Sequence, residues 1–498
     1  MNSTSFYVTT PIYYVNDRPH IGHAYTTLLA DVLARYHRNL GQETFFLTGL
    51  DEHGQKVQQA AERRNVEPMK HCDEMAPRFI ELWEKLHISY DDFIRTTETR
   101  HKKVVQKILQ DVYNSGDIYE NEYEGLYSVS EERFITEKEA ESGAFRDIKE
   151  LKEKNYFFRM GKYQEALINH IKTNPKFIQP EHRKNEVLGF LKQPLNDLCV
   201  SRPKSRLNWG IELPFDSDYV TYVWFDALIN YITAPGFMSD DDSFQKWWPA
   251  SYHLIGKDIL TTHAVYWPTM LMSANIELPK SIFAHGWWLM AESKISKSVG
   301  NVVDPISLID DYGVDPVRYY LMREMVLGQD ANFTIESFIK RYNSDLANDF
   351  GNLLSRVSTL MKKNYDGKIP ESGELTDAEL KIKSRGESLG KLVKDMIEEM
   401  RINDAIEETM QYIRSVNKYM EESAPWRLVK EDKEAAGRVL YTAGEALRIG
   451  AVLLSPVMPN RTEILLETLN ARGGDLKWGR LKSGSKLKDH KPLFPRVK

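Results

Sequence analysis

Residues 5–48 read SFYVTTPIYYVNDRPHIGHAYTTLLADVLARYHRNLGQETFFLT, and this stretch decides the fold. Residues 5–10 are rich in Thr, Tyr, Val and Phe, which favours a strand. Residues 43–48 supply a second strand. Between them an apolar stripe recurs at helical spacing, and Gly41 follows where that helix should end; the stripe is Leu28, Leu29, Val32, Leu33 and Tyr36. A strand, a helix and a strand in this order predict a parallel sheet with ligands at the carboxyl ends of its strands.

The composition is that of a folded chain with several domains. At roughly 150 residues per domain, 498 residues make about three domains, and 42% hydrophobic with 28% charged residues is typical of globular proteins. No run approaches the roughly 20 uncharged apolar residues that span a bilayer, and residues 1–6 lack the features of a secretion signal. Only Cys72 and Cys199 are present, which excludes a disulfide framework and a four-cysteine zinc site and favours a reducing cytoplasm. With a net charge of −6, any RNA contact must be regional.

The residue composition and hydrophobic pattern change along the chain. Residues 116–208 are aromatic-rich and broken by charge, which indicates an inserted subdomain. Strand patterns return at residues 219–225, 252–255 and 281–284, where we expect the sheet to continue. Beyond Asn343 the pattern is helical, and a third helix should end near Leu454, before a Ser-Pro step. Two apolar stripes predict a helical bundle there: Leu389, Leu392, Val393, Met396, Ile397 and Met400, then Ile406, Met410, Ile413, Val416 and Met420.

Two short motifs carry the chemistry. Residues 19–23, Pro-His-Ile-Gly-His, lie between the first strand and the helix, where unpaired N–H groups can receive a phosphate. Residues 294–298, Lys-Ile-Ser-Lys-Ser, carry two ammonium groups that suit the charge developing on a leaving pyrophosphate. Alone, the first motif could be two surface histidines at a helix start, and the second an ordinary Lys/Ser loop. Together they are far more specific.

With these motifs the chain resembles the class I aminoacyl-tRNA synthetases, whose signatures are HIGH and KMSKS; here Ile295 stands in place of Met. Within that class it resembles the methionyl-tRNA synthetases over essentially its whole length. Motifs similar to those of that family occur in order at residues 11–16, 49–54, 222–228, 256–259 and 423–426. The resemblance implies a ligase that activates L-methionine with ATP to methionyl-adenylate and transfers it to the 3′ end of methionine tRNA.

The fold class expected from pattern and resemblance together is α/β, with a Rossmann-like parallel-sheet catalytic domain, an inserted subdomain and a following all-α anticodon-binding helical bundle. We expect the first half of the catalytic domain at residues 1–115, the insertion at 116–215 and the second half at 216–290. The KISKS loop and stem-contact region should follow at 291–345, and the helical anticodon-binding domain with its basic tail at 346–498.

The resemblance also implies an amino-acid site. Aromatic walls suit a flexible thioether, and Asp51 would pair with the substrate ammonium. Thr262 departs from the family, which often has Phe there, so the pocket floor is expected to differ. Without the motif, Trp224 would more often be a core residue. The implied methionine-binding residues are Ile12, Tyr14, Asp51, Trp224, Ala227, Leu228, Tyr231 and His263.

An ATP site is implied as well. Its residues are His20, Gly22, His23, Asp258, Lys294, Ser296 and Lys297, of which His20, His23, Lys294 and Lys297 are the implied catalytic residues. Mg²⁺ should accompany the ATP because a polyphosphate in a small site needs its charge neutralised, and we assign it no protein ligand.

The inserted subdomain departs from many relatives, which carry Cys-x-x-Cys zinc knuckles there. Residues 127–134 resemble a knuckle whose cysteines have become Ser128 and Glu131, and no Cys or His occurs from 116 to 162. Zinc would have no soft ligands, so none is expected. Aromatic side chains should hold the insertion together instead, among them Tyr127, Phe134, Tyr156 and Phe157.

In the helical half, Asn352, Arg356 and Trp426 match the family's anticodon readers. Asn352 and Arg356 are four positions apart, hence on one helical face, where an amide and a guanidinium can reach base edges while an indole stacks on a base. Taken alone, Trp426 could be a core residue. The last 22 residues are strongly basic, which indicates an RNA or surface contact, or simply a solvated terminus.

Several alternative functions can be distinguished from this one by the sequence features that they require. A cysteine-specific sister enzyme would need thiolate zinc ligands, and the branched-chain enzymes carry an editing insertion larger than the roughly 90 residues available here. A small HIGH-type nucleotidyltransferase needs no large helical domain, and a non-enzymatic RNA-binding paralogue would not need both motifs intact. Because no OB-like dimerising domain follows the bundle, we expect a monomer, cytoplasmic and without a membrane partner.

Overall fold

The structure is a computed structural model. It describes residues 5–128, 133–135, 140–141, 147–290, 293–294, 304–471 and 474–497. The chain forms two compact units. The first comprises Met1–Pro19, Leu40–Glu84 and Ile88–His285, and the second comprises His20–Asn39, Lys85–His87 and Gly286–Lys498.

The strands and helices follow one another along the whole chain. The strands are β1 Phe6–Tyr14, β2 Thr44–Asp51, β3 Asp92–Arg95, β4 Ile118–Ser128, β5 Arg133–Ile135, β6 Ile148–Phe158, β7 Ile178–Gln179, β8 Leu198–Cys199, β9 Ser201–Pro203, β10 Glu212–Leu213, β11 Asp216–Thr221, β12 Tyr252–Gly256, β13 Ile282–His285, β14 Trp288–Met290, β15 Ser293–Lys294 and β16 Ala331–Phe333. The helices are α1 Ile21–Asn39, α2 Gln55–Arg63, α3 Pro68–Lys85, α4 Thr99–Asn114, α5 Gln164–Thr173, α6 Glu181–Phe190, α7 Val223–Leu228, α8 Asn230–Thr233, α9 Asp241–Trp247, α10 Trp267–Ser273, α11 Pro305–Tyr312, α12 Val314–Glu324, α13 Ile335–Arg341, α14 Asn352–Asn364, α15 Asp377–Glu398, α16 Ile402–Ser423, α17 Pro425–Glu431, α18 Lys433–Leu454 and α19 Pro459–Thr468.

A six-stranded parallel sheet forms the centre of the first unit. Its order is β3-β2-β1-β12-β13-β7, so β1 has β2 on one side and β12 on the other. The predicted strand, helix and strand at the amino terminus are confirmed, and Gly41 takes a φ of 75° just after α1. Because the strand order runs in opposite directions from β1, to β2 and β3 on one side and to β12 and β13 on the other, a crevice for ligands is expected at the carboxyl end of β1.

One predicted strand is placed wrongly. The pattern at residues 219–225 ends as a strand at Thr221, and α7 begins at Val223. In addition, β11 belongs to a small antiparallel sheet of order β10-β11-β9, whereas β12 and β13 lie in the parallel sheet as predicted. The aromatic and β-branched residues favour a strand locally, but Tyr222 is the last extended residue before α7, with a ψ of 134°.

The inserted region is built on a long antiparallel pair. β4 and β6 pair from Ile118 opposite Phe158 to Ser128 opposite Ile148, in a sheet of order β5-β4-β6-β8. Aromatic packing is present as predicted at Tyr156, whose ring lies 5.1 Å from that of Phe215, and at Phe157, which is buried. The side chains of Tyr127 and Phe134 lie outside the described part of the chain.

The second unit is mainly helical. The two predicted stripes lie on α15 and α16, except that α15 ends at Glu398 and Met400 follows it with a φ of 59°. The stripe residues are buried except for Leu392, which is 41% exposed. The third helix, α18, ends at Leu454 as predicted. Fully buried Arg318 donates to the Asp31 carboxylate of α1 at 2.7 Å and to the Val457 carbonyl at 2.8 Å, which fastens α1 to the turn before α19.

The basic carboxyl-terminal segment, residues 474–497, is packed and not merely solvated. Four of its apolar residues are buried, namely Leu481, Leu487, Leu493 and Phe494, whereas its Lys and Arg residues are exposed. Within the described parts of both units, no helix is long and apolar enough to cross a membrane.

Candidate active site

The carboxyl ends of β1 and β2 carry three of the predicted site residues. Tyr14 is the backbone partner of Asp51, and Ile12 is the partner of Gly49 after a register shift that follows Thr9. Asp51 is only 2% exposed, while Ile12 and Tyr14 are half-buried. This edge of the sheet therefore presents a buried carboxylate beside an aromatic ring.

An aromatic group continues the pocket from that edge. The Trp224 ring lies 6.5 Å from the Tyr14 ring and 6.0 Å from the His263 ring, edge-on in both cases. The Tyr231 ring lies 5.7 Å from that of His263, and Trp224 itself is half-buried, so it is not enclosed in the core. Ala227 and Leu228, on the same helix as Trp224, are buried. Rings and small apolar groups in this arrangement suit a thioether side chain.

Hydrogen bonds fix the protonation of His263. Its Nδ1–H donates to the carbonyl of Ile259 at 2.9 Å, and its Nε2 accepts from the hydroxyl of Tyr231 at 2.8 Å. Burial lowers the pKa of His263 to about 4, although the bond to Ile259 opposes this shift. The ring is therefore neutral at physiological pH. Thr262, where the family often has Phe, turns its hydroxyl back to the Ile259 carbonyl at 2.8 Å.

We expect His263 to remain neutral well below the pH at which an ordinary histidine becomes charged. Because its pKa is lowered to about 4, the ring should keep its Nδ1–H form at pH 5.5, where a solvated histidine is mostly imidazolium. Nitrogen chemical shifts of ¹⁵N-histidine-labelled protein measure this, with His263→Asn to assign the signal. An imidazolium signal for His263 at pH 5.5 would contradict the assigned hydrogen bonds.

A buried histidine–aspartate network next to this pocket was missed by the sequence analysis. Asp226, on α7, accepts from His53 at 2.6 Å and from His101 at 2.7 Å, and all three are buried. Burial raises the pKa of Asp226, but His53 and His101 outweigh it, so the pKa falls to about 2. Glu52, between Asp51 and His53, is likewise buried and is bound by Arg95 at 2.7 Å.

The end of β12 presents the predicted ribose contact. Gly256 ends the strand, and a Cβ at this position would lie 2.6 Å from Oδ1 of Asp258. Asp258 is exposed. A glycine at position 256 therefore lets the Asp258 carboxylate fold close over the strand end.

In the second unit, the two motif histidines stack at the start of α1, with ring centroids 3.8 Å apart. Nδ1 of His20 accepts from the N–H of Gly22 at 3.1 Å, and Nδ1 of His23 accepts from the N–H of His20 at 3.2 Å. Each neutral ring thus carries its proton on Nε2, where it can donate to a phosphate oxygen. A Cβ on Gly22 would lie 2.9 Å from Cε1 of His20 and displace that ring.

The second motif lies only partly in the described chain. Lys294 belongs to β15, whose backbone pairs with β14, with Lys294 opposite Leu289. Ser296 and Lys297 lie outside the described residues.

The three predicted anticodon readers lie in the second unit, and two of them are in contact. The Arg356 guanidinium lies over the Trp426 ring, 5.1 Å from its centroid, and also pairs with Glu421 at 2.8 Å. Asn352 is exposed at the first turn of α14, one turn before Arg356 on the same face. Trp426 is half-buried at the start of α17, so it is not enclosed in the core.

The resemblance predicts that replacing Trp426 with alanine separates two activities, aminoacylation of tRNA and methionine-dependent pyrophosphate exchange. Loss of one base-stacking indole costs about 1–3 kcal/mol, roughly 5- to 150-fold in tRNA affinity, while methionine-dependent pyrophosphate exchange should stay near wild type. Trp247→Ala, which removes another half-buried indole, is the matched control and should leave the KM for tRNA unchanged. Parallel loss of both activities with a lowered melting temperature would make Trp426 a structural residue.

The chain is similar to known tRNA synthetases. Residues 6–144 and 138–358 match the family model of tRNA synthetases class I (M), and residues 369–491 match that of the anticodon binding domain of methionyl tRNA ligase. The chain thus has the organisation of a class I tRNA synthetase: a parallel sheet, the HIGH residues at the start of a helix, and a helical second unit.

Comparison with individual relatives identifies the family within this class. The chain is 45% identical to the methionine–tRNA ligase of Bacillus subtilis, across 99% of this chain and 78% of that protein, and 43% identical to that of Thermotoga maritima, across 99% and 80%. The solved Mycobacterium tuberculosis methionyl-tRNA synthetase in complex with methionyl-adenylate matches with a TM-score of 0.95 at 40% identity, covering 99% of this chain and 100% of that one. The chain belongs to the methionine–tRNA ligase family.

Proposed function

We propose that this chain activates L-methionine with ATP and transfers the methionyl group to methionine tRNA. The observation that carries the proposal is the pocket at the ends of β1 and β2, where buried Asp51 pairs through its backbone with Tyr14, whose ring lies beside that of Trp224. It accords with the methionyl-adenylate bound to the M. tuberculosis relative.

Within that pocket, we assign one role to each group. The Asp51 carboxylate pairs with the substrate ammonium, and the rings of Tyr14 and Trp224 hold the thioether. Neutral His263, fixed by Tyr231, presents a wall that does not change its charge near neutral pH. Ile12, Ala227 and Leu228 supply the remaining apolar contacts.

The nucleotide is assigned to the two motifs and to the end of β12. The Nε2–H groups of His20 and His23 donate to phosphate oxygens, and the absence of a side chain at Gly22 leaves room for the His20 ring. Lys294 and Lys297 stabilise the charge on the departing pyrophosphate, with Ser296 between them, and Asp258 contacts the ribose.

Two displacements follow from these roles. In the first, a carboxylate oxygen of methionine attacks the α-phosphorus of ATP, a new O–P bond forms, and the bond to pyrophosphate breaks. In the second, a hydroxyl of the terminal tRNA ribose attacks the acyl carbon and releases its proton, a new ester bond forms, and AMP leaves with the electron pair of the broken acyl–phosphate anhydride bond. No enzyme side chain forms a covalent bond, so catalysis consists of positioning and charge stabilisation.

Mg²⁺ is proposed to arrive with ATP, held by phosphate oxygens and water, and to neutralise polyphosphate charge. We propose that the inserted region binds no zinc, because no Cys or His occurs at residues 116–162 to supply a soft ligand. We therefore expect chelator-treated protein to contain no stoichiometric zinc by elemental analysis, and activity to survive once Mg²⁺ is restored. One zinc retained per chain would contradict this.

The complete reaction is tested by charging. Purified protein, ATP, Mg²⁺ and labelled methionine should give acid-precipitable methionyl-tRNA with methionine tRNA, and the same tRNA with an altered anticodon should be charged poorly. Efficient charging of a cysteine or leucine tRNA would overturn the proposal.

The protein is also proposed to work as a cytoplasmic monomer. Both cysteines are buried free thiols, and burial raises the pKa of Cys199, which suits a reducing compartment. Light scattering of the purified chain tests the oligomeric state; a concentration-independent dimer would contradict it.

A further inference from the structure

A single buried carboxylate joins three elements around the proposed methionine pocket. The two oxygens of Asp226 accept from different imidazoles: Oδ2 from Nδ1–H of His53 at 2.6 Å, and Oδ1 from Nε2–H of His101 at 2.7 Å. His53 lies just beyond the end of β2, Asp226 lies on α7 and His101 lies on α4. Asp226 and His101 are fully buried, and His53 is 2% exposed.

The two histidines are themselves held in place. The His53 ring packs 5.4 Å from that of Trp209, and the indole N–H of Trp209 donates to the carbonyl of Glu52 at 2.5 Å. On the other side, Nδ1 of His101 lies 3.5 Å from the hydroxyl of Thr233 on α8. Because all three side chains are buried away from bulk solvent, movement of α7 would break charge-assisted hydrogen bonds at a considerable cost.

This network joins the two chain segments that carry the ends of the proposed amino-acid site. Asp51, the proposed ammonium partner, precedes His53 by two positions, and Trp224 and Ala227 flank Asp226 on α7. The distance from the ammonium partner to the thioether wall determines how long an amino acid can be bound. Asp226 links the elements that carry the ammonium partner and the thioether wall.

We propose that Asp226 is a positioning residue that sets the length selectivity of the amino-acid pocket, by fixing α7 relative to the end of β2 through His53 and His101. The proposal rests on the proposed function, because it takes Asp51 and Trp224 as methionine contacts. Asp226 itself acts through its neighbours and need not touch the substrate.

Asp226→Asn is the direct test, since it preserves the side-chain volume. An amide offers one oxygen as acceptor and one NH₂ as donor, so it cannot accept from both imidazoles as the carboxylate does. Because one methylene in a packed pocket is worth about 10- to 200-fold, we expect the preference for methionine over ethionine, which is one methylene longer, to fall by about tenfold. The KM for ATP should stay near wild type. The readout is pyrophosphate exchange with each amino acid.

Asp117→Asn is the matched control. Asp117 is another buried carboxylate of the first unit, bound by Lys162 at 2.7 Å and Ser273 at 2.9 Å, and it has no proposed role in the pocket. It should lower the melting temperature without changing the methionine-to-ethionine preference. This separates a change in selectivity from a general loss of stability.

His101→Gln supplies a second route if Asp226→Asn does not fold, because α4 carries no proposed substrate contact. It should reduce the same preference, and the Asp226→Asn/His101→Gln double variant should show less than the product of the two single effects. A folded variant of either kind that keeps the wild-type preference overturns the proposal, as does an equal change in Asp117→Asn. If wild type fails to exchange with methionine, the proposed function itself falls.

Discussion

Lys297→Ala is expected to slow methionyl-adenylate formation by about 10²–10³-fold, or roughly 3–4 kcal/mol, while methionine affinity hardly changes. A preorganised cation is lost where transition-state charge accumulates on the departing pyrophosphate, and such groups contribute in the transition state more than in the ground state. Rapid-quench measurement of the first turnover with saturating methionine and ATP gives the rate directly.

Two comparisons make the Lys297 result specific. Transfer from preformed methionyl-adenylate to tRNA releases no pyrophosphate, so the variant should perform that step at nearly the wild-type rate. Lys391→Ala, at an exposed position of α15, should leave both steps unchanged. Lost methionine affinity with an unchanged first-turnover rate would assign Lys297 to the amino-acid pocket instead.

Asp51→Asn should weaken methionine binding by roughly 10²-fold or more. Asp51 is 2% exposed, and removing one partner of a buried ion pair costs at least about 3 kcal/mol, because the remaining charge is left without compensation. The dissociation constant of methionine, from equilibrium dialysis, is the measurement. The KM for ATP should change little.

The ligand itself provides the control for Asp51. The methionine analogue without its amino group cannot pair with the carboxylate, so wild type and Asp51→Asn should bind it with similar, weak affinity. An equal loss for methionine and for this analogue would show that Asp51 supports the pocket structurally and does not meet the ammonium.

The start of the fold could be predicted because its signals are local. The apolar stripe of α1 and the strand residues around it repeat at short spacing, and α18 stops at Leu454 where Pro456 follows. The pattern at residues 219–225 failed because Tyr, Val, Trp and Phe favour a strand locally, whereas the chain turns into α7 at Val223.

The network around Asp226 could not be predicted, because nothing local connects its members. Asp226 is 173 positions from His53 and 125 from His101, and no fixed spacing signals a buried carboxylate between two imidazoles. The packing of the carboxyl-terminal segment could not be predicted either. Its charge was evident, but burial of Leu481 and Phe494 depends on a helical surface formed by distant residues.

Amino-acid-dependent exchange of labelled pyrophosphate into ATP tests the central claim most directly, because it needs only the amino-acid and nucleotide sites. We predict exchange with L-methionine, much weaker exchange with homocysteine and essentially none with valine or isoleucine, whose branched side chains do not have the shape of a linear thioether. Exchange supported equally well by cysteine or leucine, or no exchange with methionine, would contradict the account.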